Sequence, residues 1–156
     1  MEYEDLVKAF ADKYGIAGLE IEGGVAALDI DGANILLTHA DSADFMTIYG
    51  DIGAPPPDAN GPFGKLMLTS NYALVGTDGP ILCMNPESLA YGIFYRLPLA
   101  QADVDALSAR VEKLVNEVFD WKQVVNGLQT AEEEAAKQPK DSESLSPFSS
   151  GPFIQV

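Results

Sequence analysis

The amino-acid sequence predicts an α+β fold. A helix, a three-strand antiparallel meander, a short helix, a two-strand hairpin and a long helix follow one another, the helices packing on a twisted antiparallel sheet. Three observations carry this expectation. Apolar residues recur at helical spacing from Tyr3 to Tyr14 and again from Gln101 to Gly127. Between these segments, the runs VAALDI and ANILLTHA flank Asp31-Gly32, a dipeptide suited to the positive φ angles of a tight hairpin. The chain has 156 residues, 47% of them apolar, which is enough for one hydrophobic core and gives no sign of a repeat.

In the first helix Tyr3, Leu6, Val7, Phe10, Ala11 and Tyr14 share a face, and Glu4 and Asp5 sit favourably near its positive end. Gly15 can take the left-handed conformation that ends it, and Gly18, Gly23 and Gly24 lead into extended chain. After the Asp31-Gly32 hairpin, a second turn at Asp41-Ser42 leads to DFMTIYG, where Phe45, Thr47 and Tyr49 alternate with Met46 and Ile48 as strand residues do. Pro55, Pro56, Pro57 and Pro62 predict a surface connection over 54–62. FGKLMLTSNYAL then reads as the short helix, and ILCMN and LAYGIFYRLPL as the second hairpin. In the last helix Val104, Leu107, Val111, Leu114, Val115, Val118, Trp121, Val125 and Leu128 form one stripe, with Pro98 before it and Gly127 suited to end it.

Composition divides the chain into a body, 1–128, and an acidic, Ser- and Pro-rich tail, 129–156, with an apolar end. A stretch so rich in Glu, Lys, Ser and Pro buries too little to order itself. Its last residues, PFIQV, depart from that pattern and are expected to lie extended on an apolar groove or sheet edge.

With 24 acidic against 9 basic residues the formal charge is −15, which repels a phosphate backbone and an anionic leaflet alike, so no nucleic-acid partner and no membrane insertion are expected. Apolar runs stop well before the ~20 residues of a membrane span. Acidic residues among the apolar ones at the start are unlike a signal peptide, and a single cysteine needs no oxidising compartment, so a cytoplasmic location is expected.

Catalytic signatures are sparse. His39 and Cys83 are each the only residue of their kind, and Cys83 sits in ILCM, the setting of a buried, inert thiol. A Cys/His enzyme requires the two to meet in a pocket. DIDGAN resembles part of a calcium loop, but its glycine follows the second acid directly and no Glu closes twelve residues. GPFGK lacks the spacing and the Ser or Thr of a phosphate loop. No cofactor and no metal are expected.

The order of elements in an acidic chain of this length resembles the class I type III secretion chaperones, the CesT/Tir chaperone-like family. LVKAFADKYGI, DIDGANILL, FGKLMLTSNYAL, GIFYRLPL and VEKLVNEVFDW carry the likeness, which covers about Tyr3 to Leu128. The resemblance implies a non-catalytic homodimer that holds the N-terminal region of a secreted effector in extended form and keeps it soluble. Carried onto this sequence, it places the dimer interface at Phe63, Leu66, Met67, Ser70 and Ile81, and effector binding at Leu6, Phe10, Ile35, Leu37 and Phe45. A regulatory module of the same fold, capturing a different protein, is the alternative. The 54–62 connection and the tail depart from the pattern.

Overall fold

The computed structural model describes residues 2–137. Helix α1 (Tyr3–Tyr14) buries Tyr3, Leu6, Val7, Phe10 and Ala11 along one face, as their spacing predicts, and ends at Gly15 in the left-handed conformation. Strands β1 (Ile21–Glu22), β2 (Val25–Ile30), β3 (Ala33–Thr38) and β4 (Phe45–Gly53) follow as an antiparallel run. Asp31 and Gly32, with φ of 53° and 84°, make the tight turn between β2 and β3, and the Asp29 carboxylate accepts the Gly32 N–H at 3.1 Å. Helix α2 (Asn60–Leu74), strands β5 (Ile81–Met84) and β6 (Tyr91–Pro98), and helix α3 (Val104–Lys137) complete the chain.

The six strands form one antiparallel sheet in the order β1-β2-β3-β4-β6-β5, so β5 and the two-residue β1 are its edges. Alternation assigns each strand residue to a face. Leu28, Ile35, Ile48, Ile93 and Leu82 point to the side covered by the helices and are buried with the apolar faces of α1 and α3. Helix α3 lies close on β4: a Cβ at Gly50 would collide with Val118, so glycine is what lets the helix reach the sheet. From the opposite end of the core, the Tyr3 hydroxyl donates to the Leu37 carbonyl at 2.6 Å and fastens α1 to β3.

Two predicted boundaries move. Helix α2 begins at Asn60, inside the proline-rich stretch; Pro62 falls in its first turn, where a missing N–H costs nothing. Helix α3 runs through Gly127, and through the predicted start of the tail, to Lys137. A helical glycine costs only about 1 kcal/mol relative to alanine. Here buried Val125, half-buried Leu128 and the strong formers of AEEEAAK outweigh it. The extra turns brace the connection: Pro55 and Pro56 are buried, and the Gln129 side chain donates to the Ala54 carbonyl at 3.2 Å. Positions 138–156, including PFIQV, lie outside the described residues.

Candidate functional site

Helix α2 has an apolar residue on nearly every side. Phe63 and Met67 point inward, Phe63 meeting Tyr91 edge-on at 4.9 Å and Trp121 of α3 at 6.0 Å. On the opposite side Leu68, Tyr72 and Val75, spaced by four and three, form a second stripe that is 72%, 83% and 77% exposed. Leu66 on the flank and Ile81 and Met84 on β5 are exposed as well. A helix apolar all round belongs inside a larger core. Here the core is one-sided, and the outer stripe is an exposed apolar surface.

The sheet edge beside α2 is obstructed at Leu82. The Asn71 amide donates to the Leu82 carbonyl and accepts the Leu82 N–H, both at 2.8 Å, so it takes the place of a neighbouring strand on β5. The other edge differs. Because β1 pairs only with Val25 and Ala26, the rest of β2 has no strand beside it. The two-residue turn makes Ile30 and Ala33 a hydrogen-bonded pair, which leaves the N–H and C=O of Ala27 and Asp29 pointing outward by alternation. No backbone bond outside the ladder reaches either residue among the described residues.

A cavity of about 500 Å³ opens next to that edge, between the end of α1, the β2–β3 turn and α3. Phe10, Tyr14, Ile16, Ile30, Val111 and Val115 form its apolar walls, and Asp29, Asp31 and Glu112 stand at its rim. The Phe10 and Tyr14 rings contact each other at 4.9 Å. Across the sheet, on the face without a helix, Leu36, Phe45, Tyr49 and Phe94 are half-buried by one another, and the Arg96 guanidinium lies 4.9 Å from the Phe45 ring and 5.9 Å from Phe94.

The predicted site residues are distributed unevenly over these surfaces. Of the effector-binding set, Leu6, Ile35 and Leu37 are core residues, Phe10 is buried but also walls the cavity, and Phe45 lies on the opposite sheet face. The five do not form one patch. Of the dimer set, Leu66 and Ile81 are exposed and Ser70 is half-buried, whereas Phe63 and Met67 are buried inside their own chain. Leu68, Tyr72, Val75 and Asn71 were missed by sequence reasoning; a second apolar stripe on a helix whose first stripe suffices was the available signal.

His39 and Cys83 are far apart. His39 follows β3, with its ring stacked on Tyr3 at 5.3 Å, while Cys83 is on β5, three strand spacings or about 14 Å across the sheet. They also face opposite sides. Burial pushes the Cys83 thiol pKa up, away from thiolate character.

The model of the Tir chaperone protein (CesT) family matches residues 5–122. A chain of the HopA1–SchA chaperone–effector complex superposes with a TM-score of 0.67 at 18% identity, over 78% of this chain and 93% of that one. A chain of the ExsC–ExsE complex gives 0.66 at 16% identity, over 78% and 91%. The Yersinia pestis type III secretion chaperone SycH, in complex with a stable fragment of YscM2, gives 0.60 at 16% identity, over 77% and 99%. At these identities the likeness is one of fold. No curated protein matches the chain.

Proposed function

The chain belongs to the Tir chaperone protein (CesT) family, and on that premise we propose that it is a type III secretion chaperone. It acts without catalysis, as a cytoplasmic homodimer, binding an extended segment from the N-terminal region of a secreted effector and keeping that effector soluble and competent for secretion. No helix among the described residues is long and apolar enough to cross a membrane.

The observation that carries the mechanism is the pairing of an open β2 edge with an apolar cavity beside it. An extended client adds to the outward groups of Ala27 and Asp29 as a further strand, and alternate side chains reach the cavity past Phe10. Leu6, Ile35 and Leu37 hold the floor rigid from within, and Phe45, on the far face, offers a second place for the client to cross the sheet. A client pinned along this surface cannot bury its apolar residues against each other, so it stays unfolded without ATP. Two copies join through Leu66, Ser70, Ile81 and the outer stripe of α2, while Phe63 and Met67 support that face from behind.

Hydrogen exchange on the complex with a cognate effector tests this. The Ala27 and Asp29 amides become protected on binding, and deleting the effector's N-terminal region abolishes the complex. A tight complex that leaves both amides exchanging as in the unbound protein overturns the edge mechanism.

A further inference from the structure

The cavity beside β2 has apolar walls but an acidic mouth, and this restricts what can enter. Glu112 accepts only a long bond from the Tyr14 hydroxyl, 3.4 Å, and Asp29 accepts only the Gly32 N–H. Among the described residues none of Asp29, Asp31 and Glu112 forms an ion pair. The two lysines nearby are occupied: Lys13 binds Asp105 at 2.7 Å and Ser108 at 3.3 Å, and Lys122 donates to the Gly32 carbonyl at 3.1 Å. Lys122, at the Gly32 carbonyl, and Lys13, which attracts Glu112, offset part of the charge of these three carboxylates. A carboxylate or a dry apolar run entering here would still meet an excess of negative charge, whereas a cation would relieve it.

From the cavity, the edge and this charge arrangement together, we propose that the client segment is defined by an anchor and a cation: a bulky aliphatic or aromatic side chain seated between Phe10, Ile30 and Val115, with a Lys or Arg one or two positions away. Two positions along a strand bring a side chain to the same face and toward Glu112, and one position brings it to the Asp29 face. The inference rests on the docking mode proposed above and adds the partner's chemistry to it. The apolar anchor supplies affinity, and the cation selects among extended segments that would otherwise compete equally.

The test uses the full chain and three synthetic ten-residue peptides of alternating Thr and apolar residues, with Leu as the central anchor and Lys, Gln or Glu two positions after it. Binding is read by titration with methyl NMR of Ile16 and Ile30. The Lys peptide is expected to bind about two- to fivefold more tightly than the Gln peptide at low salt, with Glu weakest, for a rim pair of this exposure. The difference shrinks in Glu112→Gln and at high salt, because exposed pairs are screened. Equal affinities for the three peptides, with shifts at Ile16 and Ile30, overturn the cation requirement and leave the docking mode standing. No shift at either methyl at millimolar peptide overturns the docking mode and this inference with it.

Discussion

Asn71 holds Leu82 by both ends of its amide, each bond 2.8 Å long, so one side chain satisfies both backbone groups that Leu82 would otherwise present to a further strand. Replacing it with alanine strips both bonds at once. Asn71→Ala is expected to lower stability by about 1–3 kcal/mol, the cost of leaving partly buried backbone groups unpaired. Urea denaturation measures the loss, and faster hydrogen exchange at the Leu82 amide localises it. Unchanged exchange at Leu82 would mean that water replaces the asparagine without cost.

The two stripes of α2 separate assembly from folding. The double variant Leu68→Asp/Tyr72→Glu is expected to be a folded monomer, since exposed substitutions usually move stability by no more than about 0.5 kcal/mol. Met67→Lys, at a position only 3% exposed within its own chain, is expected to unfold the protein, because it buries an unpaired charge. Light scattering together with circular dichroism distinguishes the two. A dimer that survives the double variant would exclude the outer stripe as the interface.

At alkaline pH the tyrosines limit the fold. Burial, as the largest cause, raises Tyr3 and Tyr49 to about 12, and it raises Tyr95 as well, helped by the Glu117 carboxylate that accepts its hydroxyl at 2.7 Å. In each case the folded state favours the protonated phenol. The stabilisation is therefore complete below the unfolded value of about 10 and is lost as pH rises from there through about 12. Thermal melts between pH 8 and 12 are expected to hold level and then fall, with phenolate absorbance rising late and together with unfolding. Early phenolate absorbance in a fully folded protein would contradict this.

His39 and Cys83 are expected to be dispensable for client binding. His39→Ala loses the stacking on Tyr3 and a 3.1 Å contact between its ring and the Ala43 carbonyl, so a stability loss of about 1 kcal/mol is expected without a change in affinity. Cys83→Ala removes a half-buried thiol from the helix-free face of the sheet and is expected to be milder. A client modified in a manner that either variant abolishes would require the protein to be read as an enzyme.

Much of the fold was legible because it is written in local patterns. The 3.6-residue period of α1 and of the first turns of α3, and the Asp31-Gly32 turn between alternating strands, each specify their element from a few neighbouring residues. Strand β1 left no such trace: its two residues pair across Gly23 and Gly24, and only the register of β2 defines them. The end of α3 was misread because Gly127 is a stop signal only when nothing beyond it packs, and the contacts of Val125 and Gln129 come from a distant part of the chain. The site was less legible still. Met67 and Leu68 are neighbours of similar hydrophobicity, and what turns Met67 inward and Leu68 outward is the position of Tyr91 and Trp121 against Phe63.

The two ends of the sheet also decide how copies of the chain can meet. A subunit whose β5 side is blocked at Leu82 by an asparagine and whose β2 side is open takes an extended chain along one edge of its sheet. Joined in pairs through α2, subunits would hold two such positions. Addition at one terminus of a sheet ordinarily invites polymerisation, because each new edge templates another. With β5 blocked at Leu82, the β2 edge of one copy cannot pair along the β5 edge of the next, so copies of this chain do not join head to tail into a fibre.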